Sequence, residues 1–198
     1  MKHSASRFFA YIARLRWIRR WGLMRNAIEE NVATHSWEVA TIAHGLALIR
    51  NHVFNGDVNA DRVAAAALYH DATEVITGDM PTPVKYHSAV MREAFGDIES
   101  RAETELLDLL PETLRDGFRP YLAESVQDAD TRALVKAADR LSAWLKCQAE
   151  INAGNREFEP AAHKIRQRLD EDPLPEVGYF LTVFAPDYSA PLDHLLGD

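Results

Sequence analysis

Apolar residues recur at helical spacing along most of the chain, and no stretch of useful length alternates polar and apolar residues as a strand would. Phe8, Ile12 and Leu15 predict a first helix over 7–19, ended by Trp21 and Gly22, with 22–30 as a connection. His35, Val39, Ile42 and Leu46 follow the i, i+4, i+7, i+11 pattern of one buried stripe, on a helix from about 32 to 51. Asn55–Gly56 signals a turn. Asn59 then suits an N-cap, Asp61 the first turn, and Gly78 a C-terminal stop, before Pro81 and Pro83 impose an extended loop. Met91, Phe95, Ile98, Ala102 and Leu106 form the next stripe, which ends before Pro111. A shorter helix over 111–124 has Pro111 near its first turn and Pro120 to shorten or kink it. Asp130 reads as the N-cap of a long helix ending near Gly154, with Leu134, Ala138, Leu141 and Leu145 as its core row. Helices over 157–169 and 176–184 follow, separated by Pro173 and Pro175, and the chain from Ala185 reads as irregular or weakly helical. Trp37 and Trp144 read as core residues. The pattern predicts an all-α helical bundle with short connections.

Composition adds boundaries. A chain of 198 residues is long enough for one domain with a sizeable core. The one cysteine, Cys147, excludes an internal disulfide framework and fits a reducing compartment. No window approaches the roughly 18 consecutive apolar residues of a membrane span, and the first residues lack a signal-peptide pattern. The expectation is a cytoplasmic protein without membrane association. A formal net charge of −8 disfavours an extended nucleic-acid surface. It does not disfavour a small anionic substrate, because a cation and a few arginines make one pocket locally positive.

The chemistry concentrates in 64–83, AAAALYHDATEVITGDMPTP. His70 and Glu74 are one helical turn apart and so share a face of a helix. Asp71 is rotated by about 100° from His70, close enough for both to reach one cation. That combination suggests an imidazole and a carboxylate on a metal, with a second carboxylate held close but free. Taken alone the doublet is equally a surface pair or a helix-end hydrogen bond.

His35 lies upstream in ENVATHSWEVA and Asp139 downstream in ALVKAADRLSAWLK. With the doublet, this order resembles the HD-domain metal-dependent phosphohydrolases, whose ligands are a histidine, a His-Asp doublet and a distal aspartate. RRWGLMRN and GDMPTPVKY make the chain similar to the bacterial 5′-deoxynucleotidases of that superfamily. The resemblance implies one HD domain over 1–198, with a core at about 7–150 and a C-terminal helical extension at about 156–198. It implies His35, His70, Asp71 and Asp139 as metal ligands, Glu74 as catalytic, and a deoxyribonucleoside 5′-monophosphate as substrate. Substrate contacts would come from Arg20, Trp21, His35, Asp71, Asp79, Met80, Pro81, Thr82 and Asp139. The assembly it implies is a homodimer.

Each assignment has a physical rationale and a plainer alternative. Two imidazoles and two carboxylates suit Mn²⁺, Co²⁺, Fe²⁺ or Zn²⁺ without choosing among them. His35 is otherwise a satisfied core histidine. Glu74 would handle protons beside the cation, and is otherwise an exposed helix residue. Arg20 has the planar fork that matches phosphate oxygens, and Trp21 is a rigid wall for the phosphate or sugar. Arg14, Arg16, Arg19, Arg20 and Arg25, interleaved with Trp17 and Trp21, read alternatively as a nucleic-acid patch. Asp79 would accept from the sugar 3′-hydroxyl, or else satisfy backbone donors in its turn. Lys85 would help balance phosphate charge.

Two rival functions remain. One is an HD phosphohydrolase acting on a triphosphate or a cyclic diester. The other is a non-catalytic, metal-stabilised binding protein, against which Glu74, Arg20 and Asp79 weigh, because a closed structural site needs no spare carboxylate.

Overall fold

The computed structural model describes residues 5–85 and 87–197. Among them every named element is helical, and the one extended pairing is an isolated antiparallel bridge between Arg19 and Asn31. Helix α1 (Phe8–Ile12) continues as a 3₁₀ turn, Ala13–Trp17. Then come α2 (Val32–Val53), α3 (Ala60–Leu68), α4 (Glu74–Thr77), α5 (Thr82–Lys85), α6 (Ala89–Asp108) and α7 (Glu112–Leu122). The long α8 (Ala129–Asn152) precedes α9 (Glu159–Asp170), α10 (Pro175–Val183) and α11 (Leu192–Leu196). No helix among the described residues is long and apolar enough to cross a membrane.

The core is built where the apolar stripes meet. Val39, Ile42 and Leu46 of α2 pack with Val63 and Ala66 of α3 and with Leu134, Ala138 and Leu141 of α8. Leu169, Val177, Phe180 and Ala185, from the C-terminal helices, join the same cluster. Side-chain caps fix the helix starts: Asn31 accepts from Thr34 N–H at 3.0 Å, Asn59 from Arg62 N–H at 2.9 Å, and Asp128 from Thr131 N–H at 2.8 Å. The cap of α8 is thus Asp128, not Asp130. Asp130 lies in the first turn and accepts from Arg50 at 2.7 Å.

Several elements depart from the periodicity. The first helix tightens to 3₁₀ and stops at Trp17, so Arg20 and Trp21 sit in a loop rather than at a helix end. The central helix is broken between Leu68 and Glu74. There the N–H groups of Tyr69, His70, Ala72 and Glu74 reach back three residues instead of four. His70 Nδ1 also takes the Ala67 carbonyl at 2.7 Å, and a side chain that competes for helix carbonyls favours such a break. His70 and Glu74 therefore do not share a face of one continuous helix. Gly78, at φ 72°, ends α4 in a conformation that favours glycine. Thr82–Lys85 forms a helical turn where an extended loop was expected. On α6, Phe95, Ala102 and Leu106 are buried, whereas Met91 and Ile98, flanking that stripe, are exposed. Trp37 is 64% exposed and is not core; Trp144 packs partly buried against the main cluster.

The loop before α2 is anchored from α8 by Glu150, which is fully buried. Its carboxylate accepts from Ala27 N–H (2.8 Å), Ile28 N–H (3.0 Å), Asn155 Nδ2 (2.7 Å) and the Lys146 ammonium. Burial opposes its ionisation, but these donors outweigh that and hold the carboxyl down at about 2. Glu150→Ala leaves Lys146 buried and unpaired, so it is expected to cost about 3–5 kcal/mol. The folded value lies below the unfolded one, so this stabilisation is complete above the ordinary glutamate value of 4.5 and fades as pH falls from there towards about 2. Urea unfolding at about pH 7 and about pH 3 checks this: the gap between wild type and variant narrows in acid.

Candidate active site

Three elements converge behind the break in the central helix. His35 comes from the second turn of α2, His70 and Asp71 from the turn between α3 and α4, and Asp139 from the middle of α8. His35, His70 and Asp71 offer ligand atoms that all lie within 4.8 Å of one another. His35 Nε2 stands 3.1 Å from Asp139 Oδ1 and 3.6 Å from Asp71 Oδ2, and His70 Nε2 stands 3.2 Å from Asp71 Oδ2. The structure thus brings together the four residues that the HD pattern singled out.

Both imidazoles are oriented from behind. His70 Nδ1 faces the Ala67 carbonyl, an acceptor only, so that nitrogen carries the proton. His35 Nδ1 is 3.1 Å from Ser142 Oγ, whose own hydroxyl donates to Glu38 Oε2 at 2.6 Å. The Ser142 oxygen therefore receives the His35 Nδ1–H. In both rings the Nε2 atom is left towards the cluster, and both are buried without a hydrogen-bond partner among the described residues. With their Nε2 atoms deprotonated, the two imidazoles and the two carboxylates they face form a donor set that suits a divalent cation.

The electrostatics of the protein without a cation agree. Burial lowers the His70 pKa, but Asp71 and Asp139 outweigh that and push it up to about 9. Burial raises Asp71, yet His70, His35 and Arg20 hold it well below the ordinary carboxylate range. A proton on His70 stands where a cation held by these groups would, so cation binding there would displace it. Glu74 goes the other way: burial first, then repulsion from Asp71 and Asp79, push it up to about 9. Its Oε2 is buried and has no hydrogen-bond partner among the described residues.

Arg20 reaches into the cluster from the loop after α1. Its Nη1 donates to Asp71 Oδ2 at 3.2 Å and its Nε to Glu30 Oε2 at 3.0 Å. Burial works against its charge, but Asp71, Asp139 and Glu30 outweigh that and keep it a guanidinium. Trp21 adopts φ 58°, a left-handed conformation that costs an L residue about 1–2 kcal/mol. It is held there by its neighbours. Its carbonyl accepts from Met24 N–H at 2.9 Å, and its ring meets Phe158 edge-on at 5.3 Å. Its backbone N–H bonds to Asp79, which combines the two readings of Asp79: it satisfies a backbone donor and lies at the rim of the cluster. Met80 and Pro81 connect Asp79 to Thr82, the first residue of α5. Lys85 is engaged by Glu99 at 2.7 Å and lies over the Phe95 ring at 4.7 Å. Among the arginines of the basic stretch, Arg19 pairs with Glu29 (3.2 Å) and Arg25 with Glu157 (2.8 Å).

The sequence pattern missed Glu30, Glu38 and Ser142. A spacing signal existed for two of them: Glu38 follows His35 by three residues, and Ser142 follows Asp139 by three, which places each on its neighbour's helix face. Glu30 had no such signal, because its partners lie across a loop.

Comparisons with known proteins find relatives along nearly the whole chain. A family model described as 5′-deoxynucleotidase YfbR-like matches residues 7–188. A 5′-deoxynucleotidase of Vibrio cholerae is 46% identical over 190 residues, covering 96% of this chain and 98% of that protein. One of Yersinia pestis is 47% identical over 190 residues, covering 96% of each. Among solved structures, an HD-domain phosphohydrolase from Listeria innocua superposes with a TM-score of 0.79 at 26% identity, over 94% of this chain and 90% of that one. The cyanophage S-2L HD phosphohydrolase, solved with dA and one catalytic Zn²⁺ ion, shares the fold at a TM-score of 0.62 and 19% identity, over 94% and 96% of the chains.

Proposed function

This chain belongs to the YfbR-like 5′-deoxynucleotidase family, and from that premise we propose that it hydrolyses deoxyribonucleoside 5′-monophosphates at the His35–His70–Asp71–Asp139 cluster, giving deoxynucleoside and inorganic phosphate. The observation that carries the site assignment is the pair of buried, unpartnered Nε2 atoms of His35 and His70, gathered with Asp71 within 4.8 Å. His35, His70, Asp71 and Asp139 would hold one divalent cation, whose Lewis acidity acidifies water and offsets phosphoryl charge. The donor set suits Mn²⁺, Co²⁺, Fe²⁺ or Zn²⁺.

The remaining roles fall to the chain's own side chains. Arg20 keeps its charge, and with Nε and Nη1 committed to Glu30 and Asp71 it turns the Nη2 side of its fork to phosphoryl oxygens. Glu74, whose surroundings favour the protonated form, is suited to give a proton to the departing 5′-oxygen. Asp79, with Met80, Pro81 and Thr82, would border the sugar and base. We read the protein as homodimeric on the family resemblance, and as cytoplasmic because its one cysteine, Cys147, fits a reducing compartment.

A phosphate-release panel of ribo- and deoxyribonucleoside monophosphates, run with several divalent cations, tests the function. Release from deoxynucleotides supports it. Turnover confined to triphosphates or cyclic diesters replaces it with the rival HD activity, and no turnover with any cation favours the binding protein.

Sugar selection gives a sharper test. An apolar pocket rejects one added hydroxyl only modestly, by about 10². A larger preference for deoxyribose needs a rigid wall against C2′, and Trp21 is the large rigid side chain next to Arg20. Trp21→Ala is expected to lower kcat/KM on dAMP and to narrow the ratio between dAMP and AMP. An unchanged ratio with reduced activity confines Trp21 to orienting the phosphate.

A further inference from the structure

Glu30 lies behind Arg20 and Trp21, and its side chain is only 10% exposed. One of its oxygens, Oε2, accepts both the Arg20 Nε–H and the Trp21 indole N–H, each at 3.0 Å. Its backbone carbonyl accepts the Arg20 N–H at 3.1 Å. The Arg19–Asn31 bridge and the bond from Val32 N–H to the Ile18 carbonyl, at 3.0 Å, continue this pairing on either side. Residues 18–20 are therefore laced to 30–32, and Glu30 is the point where that lacing meets both side chains.

We propose that Glu30 is a positioning residue for the reaction, coupling Arg20 and Trp21 into one unit through a single carboxylate oxygen. The inference rests on the reading that those two residues contact substrate. A guanidinium pinned at Nε by Glu30 and at Nη1 by Asp71 cannot rotate in its own plane, so the direction of its remaining donors is set. The indole is pinned through the same oxygen, so the arginine that meets the phosphate and the ring beside it keep a fixed separation. Both donors use a charged acceptor in a nearly dry setting, where such bonds are strong and their loss is felt. Glu30 acts through the two side chains that it holds.

The test is a double-mutant cycle on the metal-loaded enzyme, read as kcat/KM for dAMP and AMP. Glu30→Gln keeps the shape and removes the charge, and is expected to lower kcat/KM on dAMP by about 10-fold to 100-fold, the range for a lost charge-assisted hydrogen bond. The dAMP/AMP ratio is expected to narrow with it. Trp21→Phe keeps an aromatic ring and removes the indole donor together with part of the ring's bulk, with an expected severalfold loss. The Glu30→Gln, Trp21→Phe double variant is expected to be little worse than Glu30→Gln alone, because both changes remove the same contact. Fully additive losses, or an unchanged Glu30→Gln beside an impaired Arg20→Ala, overturn the proposal while leaving the substrate role of Arg20 intact. Wild-type activity in both Arg20→Ala and Trp21→Ala removes that substrate role and this inference with it. If Glu30→Gln does not fold, Glu30→Asp, which keeps the charge but withdraws it by one methylene, takes its place in the cycle: a loss that Trp21→Phe does not deepen supports the coupling, and fully additive losses overturn it.

Discussion

Asp71→Ala is expected to abolish cation binding and to reduce turnover by more than about 10³-fold, because the several kcal/mol that a cation contributes to phosphoryl-transfer barriers is lost with it. Asp71 is the hub of the cluster. Its Oδ2 lies 3.2 Å from His70 Nε2, 3.2 Å from Arg20 Nη1 and 3.6 Å from His35 Nε2. Without that carboxylate, two imidazoles and a guanidinium face one another, and one remaining carboxylate, Asp139, cannot balance a divalent charge among them. Asp71→Asn keeps the volume and removes the charge, so it separates loss of ligation from loss of packing: it too is expected to lose the cation. Metal content by elemental analysis, alongside phosphate release from dAMP, checks both variants. Stoichiometric metal with near-normal turnover would remove Asp71 from the ligand set and the proposed site with it.

Glu74→Ala is expected to behave differently, with cation and deoxynucleotide still bound and turnover lower by about 10²–10⁴, the usual range for a general acid or base. Glu74 Oε2 makes no hydrogen bond among the described residues, so truncation breaks none of its bonds there. Burial first, and then repulsion from Asp71 and Asp79, disfavour its charge, so removing it relieves a conflict. The fold is therefore expected to keep or slightly gain stability while catalysis falls. Metal content, calorimetric binding of dAMP and kcat, measured on one preparation, separate the outcomes. Loss of the cation would move Glu74 into the ligand set, and unchanged kcat would assign the proton to another group.

The contrast between these two carboxylates shows how far the sequence reaches. The motif marks both Asp71 and Glu74, but it offers no reason for one to be held ionised and the other protonated. That difference comes from surroundings assembled across the chain: His70, His35 and Arg20 around Asp71, and for Glu74 burial with repulsion from Asp71 and Asp79, which outweigh Arg20 and His70. The same distinction separates the imidazoles from their supports. His35 and His70 are legible as motif residues, whereas the Ser142–Glu38 relay behind His35 joins α2 to α8 across more than one hundred residues of chain.

The sequence by itself determined what local physics controls. Periodicity of 3.6 fixes which faces are apolar, so α2 and α8 and their core rows were legible, as was the all-α class. Asparagine caps and the glycine stop are likewise local, and Asn59 and Gly78 act as their chemistry dictates. The identity and order of the His, His-Asp and Asp residues carried the family. Tertiary structure decided where local preferences conflict or partners are distant. The central helix breaks because His70 competes for a helix carbonyl, which spacing alone does not register. Trp37 and Ile98 are exposed because a stripe's edge faces whatever packs beside it, and periodicity does not say where that packing ends. Arg20 and Trp21 leave the first helix because Glu30 and Asn31 pair with that segment, and a pairing across a loop has no signature in either strand of sequence alone.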